Sequence, residues 1–174
     1  MPQQFAEGAI AMAPLFFGLF THGLCIRFGA LRPLTRPIST RLFGANKTYR
    51  GLACVALGTA VGFVLIRPSL LPMDPPGLAL VGLCVGAAAM AAELPNSFLK
   101  RRLGIAPGSQ ASGARGVAFH VLDQVDMVFG AWAVLAWLVT PTWARLAGSL
   151  ATVYVGHQLI SVAGYWLGMR TSAR

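Results

Sequence analysis

Five long apolar blocks run along the chain, and the charged residues gather in the short segments between them. The blocks are Gly8–Phe28, Gly51–Leu71, Gly77–Ala92, Val121–Val139 and Ala144–Leu167. Most approach the roughly 20 residues a helix needs to cross a hydrocarbon layer, so the pattern predicts an all-α integral membrane protein with about five spans. The third block is short and stops at Glu93. Pro95 suits the first turn of a new helix better than the middle of an old one, which predicts a break near Leu94 and a separate interfacial helix over Asn96–Leu103. In the second block, Arg67-Pro68 predicts that the regular helix ends near Ile66, with the Arg reaching outward. The first block has Glu7 ahead of it, no basic stretch and no small-residue cleavage site, and reads as a retained span rather than a signal peptide.

Composition agrees with the pattern. Hydrophobic residues are 56% and charged residues 11% of 174 positions, against about 25% charged in a soluble globular domain. This excludes a soluble protein, and the length suits a single domain over residues 1–174. The charges also give an orientation. Arg27, Arg32, Arg36, Arg41, Lys47 and Arg50 surround the first long loop, Lys100, Arg101, Arg102 and Arg115 the second, and Arg170 and Arg174 close the chain. The opposite side has only Arg67 and Arg145. The positive-inside rule then places the amino terminus outside, and both long loops and the carboxyl end on the cytoplasmic side of the cell membrane. The net charge of +9 suits anionic headgroups or nucleotides; no nucleic-acid partner is expected. Cys25, Cys54 and Cys84 each lie inside a predicted span with no CxxC pair, and read as small apolar side chains. Gly and Ala abound in the spans and permit close helix approach, within one chain or between chains of a homo-oligomer.

The polar chemistry collects on the basic side. Three of the five acidic residues, Glu93, Asp123 and Asp126, sit at block edges around Lys100-Arg101-Arg102. A charge in the middle of the bilayer costs at least about 2.5 kcal/mol, so carboxylates retained near it are functional candidates. Asp123 and Asp126, three apart, share a helix face near the predicted start of span four. Capping the helix dipole accounts for one such carboxylate; two on one face fit magnesium, which is held by one or two carboxylates plus phosphate oxygens and water. The first loop ends in Gly44-Ala-Asn46-Lys47-Thr48-Tyr49-Arg50-Gly51. Its glycines permit close backbone approach to an anion, Lys47 and Arg50 would flank it, and Asn46 and Thr48 can bond phosphate or base. The alternative is an ordinary helix cap at Asn46 or Thr48. In the second loop, Ser97, Lys100 and Arg101 share a polar face. His120 is placed to orient Asp123, whereas His22 and His157, inside spans, read as buried hydrogen-bonded imidazoles.

In Asn46-Lys47-Thr48-Tyr49-Arg50-Gly51, Ser97-Phe98-Leu99-Lys100-Arg101-Arg102-Leu103-Gly104 and Leu122-Asp123-Gln124-Val125-Asp126, the chain resembles the CDP-archaeol synthase family. That family belongs with the membrane CTP-dependent lipid cytidylyltransferases that include CDP-diacylglycerol synthase. Order of motifs and span layout agree over nearly the whole chain. The resemblance implies a reaction that joins CTP to a lipid phosphate, an ether-linked isoprenoid glycerophosphate in this family, giving a CDP-lipid and pyrophosphate with Mg2+. It implies metal binding at Asp123 and Asp126, with Glu93 as a further ligand. It also implies catalytic contacts from Lys100 and Arg101, and nucleotide or phosphate contacts from Asn46, Lys47, Thr48, Arg50, Ser97 and Arg102. Two departures stand out. The family usually has Gly-Asp where this chain has Ala92-Glu93, and an acidic residue where Pro37-Ile38 is followed by Ser39. Phosphatidic acid as acceptor, a CTP-dependent lipid kinase that transfers the γ-phosphate, and a non-catalytic protein binding anionic lipids are the alternatives.

Overall fold

The apolar blocks become five long helices: α1 (Pro2–Arg27), α3 (Tyr49–Ile66), α4 (Pro75–Arg102), α5 (Gly113–Leu135) and α6 (Trp143–Trp166). A single turn, α2 (Thr40–Phe43), interrupts the first long loop. The structure is a computed structural model that describes residues 1–107, 109 and 113–166. Leu167, the expected end of the last span, and Arg170 and Arg174 lie outside the described residues. Among the described residues, α1, α3, α4 and the 116–135 stretch of α5 are long and apolar enough to cross a membrane. Extended pairing among them is one antiparallel bridge, Pro37 with Thr48.

Local chemistry sets several helix ends. Thr48 caps α3, its hydroxyl accepting from the Gly51 amide at 3.2 Å. Asp74 caps α4 by accepting from Gly77 at 3.1 Å, and Pro75-Pro76 open that helix where their missing N–H groups cost nothing. The second helix ends at Ile66 as expected, with Arg67 in the left-handed conformation at φ 49° before Pro68.

Two boundaries near the polar cluster differ from the sequence expectation. Pro95 does not break the third span; α4 runs unbroken through it to Arg102. Proline removes a single ladder bond, and tertiary contacts on both sides of it, through Glu93 and Asn96, hold the turns in line. The fourth helix begins at Gly113 rather than near Val121. Asp123 and Asp126 therefore lie well inside α5, beyond the first turn over which a helix dipole favours carboxylates.

Sequential helices pack as antiparallel neighbours, α1 on α3, α3 on α4 and α4 on α5. Small residues set their spacing. A Cβ on Gly86 would stand 2.8 Å from the Val55 carbonyl oxygen, and one on Gly130 would stand 2.8 Å from the Cα of Ala89, so only glycine lets these backbones approach. Met12, Leu15, Phe63, Val85, Met127 and Leu135 fill the centre. Leu57, Val61 and Leu65 form an exposed apolar ridge on α3 at four-residue spacing, as expected of a lipid-facing surface. At the end of the bundle near the amino terminus, Arg145 donates to Glu7 at 2.8 Å, and the Ser149 hydroxyl donates to the Gly8 carbonyl at 3.1 Å. Trp132 donates to the same hydroxyl at 3.0 Å, which joins α1, α5 and α6.

Candidate active site

The opposite end of the bundle gathers the polar residues. On α4, Glu93, Asn96, Ser97, Lys100 and Arg101 recur at three- and four-residue spacing and so share one side of the helix. Asn96 and Ser97 are buried. Facing them on α5 are Asp123 and Asp126. The Asn96 amide nitrogen donates to Asp123 at 2.7 Å and to Asp126 at 3.4 Å, so one side chain spans both carboxylates. Lys100 Nζ lies 2.6 Å from each oxygen of Asp123 and 5.5 Å from the centre of the Phe119 ring.

Asp126 differs from its neighbour. Only 9% exposed, it accepts from Asn96 and from the Met127 amide at 2.8 Å, and no ammonium or guanidinium reaches it among the described residues. Glu93 and Asp123 act on it electrostatically as like charges. A buried carboxylate in that position is stabilised by an arriving cation, or else neutralised by a proton. Two further unmet requirements lie close by. The Asn96 Oδ1 is buried without a hydrogen-bond partner, as are Nε and Nη1 of Arg101 and Nε of Arg50. An unpartnered amide oxygen beside an uncompensated carboxylate asks for a cation; unpartnered guanidinium nitrogens ask for an oxyanion.

The first loop approaches the same place. Its strands are tied by Ile38 N to the Lys47 carbonyl at 2.8 Å and Tyr49 N to the Arg36 carbonyl at 3.2 Å. Lys47 pairs with Glu93 of α4. Gly44, at φ 87°, rests against Arg101 and Pro107, where a Cβ would stand 3.1 Å from the Pro107 ring. His22 of α1 lies against Gly51 at the start of α3.

The site residues expected from sequence thus divide. Lys47 pairs with Glu93, and Lys100, Asp123 and Asp126 are linked through Asn96, with Ser97 and Arg101 on the same face of α4. Thr48 works as the cap of α3. Arg50 belongs to the first turn of α3. Asn46 is exposed in the loop, and Arg102 turns away onto the Phe98 ring at 5.1 Å. Among the described residues no three His, Cys, Asp or Glu side chains are gathered as a metal-binding group; Glu93 pairs with Lys47 and acts on Asp126 as a like charge. His120 is exposed and takes no part in the hydrogen bonds of Asp123. Sequence reasoning did not assign roles to Asn96 and Phe119. An amide in an apolar helix one turn before Lys100 was the available signal for the first; no local pattern marks the second.

Comparison with known proteins agrees with this arrangement. Residues 19–173 match the family model described as CarS-like, CDP-archaeol synthase. A protein of Aeropyrum pernix named CDP-archaeol synthase is 33% identical over 175 residues, covering 94% of this chain and 89% of the relative. One from Methanosarcina mazei with the same name is 29% identical over 167 residues, covering 82% and 90%. A solved structure described as an intramembrane enzyme for archaeal membrane lipids biosynthesis superposes with a TM-score of 0.65 at 25% identity, covering 91% of this chain and 94% of that one. With the family match spanning the helices that carry the acid pair, the basic face and the Lys47 loop, the chain belongs to the CDP-archaeol synthase family.

Proposed function

We propose that this protein is a CTP-dependent cytidylyltransferase that converts a lipid phosphate into a CDP-lipid with release of pyrophosphate. The observation that carries the reading is the pair of buried, unpartnered nitrogens, Nε and Nη1, of Arg101 on the helix face that also holds Lys100 against Asp123. Oxyanion donors and a cation-demanding acid pair in one site suit a reaction between two phosphates. The acceptor is an ether-linked isoprenoid glycerophosphate, the lipid class to which the names of the relatives refer.

Asp123 and Asp126, spanned by the Asn96 amide nitrogen, would supply the carboxylate oxygens that suit Mg2+. When bound there, the ion would neutralise triphosphate charge and ease departure of pyrophosphate. The remaining work falls to the protein. An oxygen of the lipid phosphate attacks the α-phosphorus of CTP, and the bond from that phosphorus to the α–β bridging oxygen breaks. Both reactants are anions, so alignment and charge neutralisation limit the rate. Arg101 and Arg50 supply the unpartnered donors, while Lys47 and Lys100 add positive charge. The lipid phosphate is ionised at neutral pH and needs no general base, consistent with an exposed His120.

In this reading five helices span the cell membrane, α6 included, with the amino terminus outside and the site at the cytoplasmic face. The excess of Lys and Arg in the two long loops supports that orientation. The lipid tails stay between the helices while the phosphate meets CTP at the surface. The test uses purified protein in detergent with α-labelled CTP and Mg2+. Acceptors are digeranylgeranylglyceryl phosphate, phosphatidic acid and a polyprenyl phosphate. Label in a lipid product, with pyrophosphate released, is the expected result and is lost in Asp123→Asn and Asp126→Asn. A phosphorylated lipid with free CDP, or turnover unchanged in both variants, would overturn the reading.

A further inference from the structure

Glu93 differs from the other two carboxylates of the site in its partner. Asn96 links Asp123 to Asp126, whereas Glu93, close enough to act on Asp126 as a like charge, pairs with Lys47, a residue 46 positions away in the chain. The pair is shielded, with side chains 22% and 18% exposed. Lys47 belongs to a loop with little structure of its own: one β-bridge, and the single turn of α2 capped by Ser39. Such a segment takes its position from its anchors. Besides the packing of α2 on α4, Lys47 on Glu93 and Gly44 against Arg101 fasten it to that helix. Both lie on the helix face that carries the unpartnered guanidinium.

Resting on the reading of the site as one for CTP, we infer that Glu93 is a positioning residue and not a metal ligand: it holds the 36–48 loop on α4 and presents Lys47 to nucleotide phosphate. An ammonium has three N–H donors. Lys47 keeps one on Glu93 and turns the others toward the phosphate, so binding requires no broken pair. Glu93 thereby acts through Lys47, and the effects of removing either residue coincide.

The test compares wild type, Glu93→Gln, Lys47→Met and the double variant in detergent with three readouts. Mn2+ binding is followed by electron paramagnetic resonance, CTP binding by equilibrium dialysis with Mn2+ present, and loop docking by the rate of tryptic cleavage after Arg41. Both single variants are expected to weaken CTP binding about tenfold, the equivalent of one lost interaction of about 1.4 kcal/mol. The double variant should lose no more than either single, as coupled residues do. Loop cleavage should rise about tenfold in all three, since the open form becomes more populated. Affinity for Mn2+ should stay within about twofold of wild type, because the ligand oxygens are untouched. Weaker Mn2+ binding in Glu93→Gln but not in Lys47→Met overturns the inference, as do multiplicative losses in the double variant or unchanged cleavage. Should Glu93→Gln fail to fold, Glu93→Asp decides. It retains a carboxylate but shortens the reach to Lys47, so faster loop cleavage with intact Mn2+ binding supports positioning, and unchanged cleavage contradicts it. A wild type that binds no CTP would defeat the proposed function, while the cleavage and Mn2+ readouts would still decide the role of Glu93.

Discussion

Replacing Asp126 by Asn should stabilise the metal-free protein while abolishing its activity. Asp126 is buried, flanked by like charges and without a cationic partner. Burying an unpaired carboxylate costs several kcal/mol after relaxation. Its compensation is a good hydrogen bond from Met127 at 2.8 Å and a long one from Asn96 at 3.4 Å, together worth about 2–3 kcal/mol to a charged acceptor. The amide is nearly isosteric, its one oxygen keeps the shorter bond from Met127, and it adds an N–H beside the Asn96 amide, whose Oδ1 is unpartnered. The net gain should be about 1–2 kcal/mol, or about 3–6 °C in Tm for a chain of this size. Asp123→Asn should do the reverse. Asp123 is half-exposed and neutralises Lys100, whose side chain is only 16% exposed; removing the charge leaves a shielded ammonium unpaired and should cost about 1 kcal/mol. Both proteins would be unfolded thermally in detergent with chelator, then with Mg2+. The ion should raise the Tm of wild type by linkage, about 2.7 kcal/mol at a hundredfold excess over Kd, and leave Asp126→Asn unmoved. CDP-lipid formation should fall at least about a hundredfold in both variants. A Tm for Asp126→Asn that falls in chelator by several degrees would refute the claim that this carboxylate is an unmet charge.

Further predictions concern neighbouring contacts. Arg101→Met should raise the KM for CTP about tenfold or more while leaving thermal stability in chelator unchanged or higher, because its buried nitrogens have no acceptor to lose. Gly130→Ala should cost about 1–3 kcal/mol in thermal unfolding by forcing α5 away from α4. It should also lower kcat about tenfold or more, since Asp126 sits one turn earlier on the same helix. Ser149→Ala should cost about 1–3 kcal/mol by stranding the Trp132 N–H. Activity of the folded fraction should be unchanged, because Ser149 belongs to the far end of the bundle.

Much of this protein is legible without coordinates. Long uncharged blocks fix helices because no other single-segment conformation satisfies its backbone inside a bilayer. The end of α3 at Ile66 followed from Arg67-Pro68, and the cap at Thr48 was one of two the sequence allowed; both are local steric and capping rules. The clustering of Glu93, Asp123 and Asp126 about a basic triplet marked the site, since charges in an apolar chain are too costly to be incidental.

Only tertiary structure decided the rest. Whether Pro95 breaks a helix depends on what holds the turns on either side, and those contacts come from α5 and from a loop far away in sequence. The same holds for Glu93. Three carboxylates near one another in sequence suggested a common cation; only the fold shows that Glu93 pairs with Lys47 while Asn96 spans the other two. Asn96 itself became visible as a site residue only when α4 met α5. Charge and hydropathy are properties of a residue and are read one position at a time; pairing is a property of geometry, and here geometry gives Glu93 to Lys47 and Asp123 to Lys100 while leaving Asp126 without a cation among the described residues.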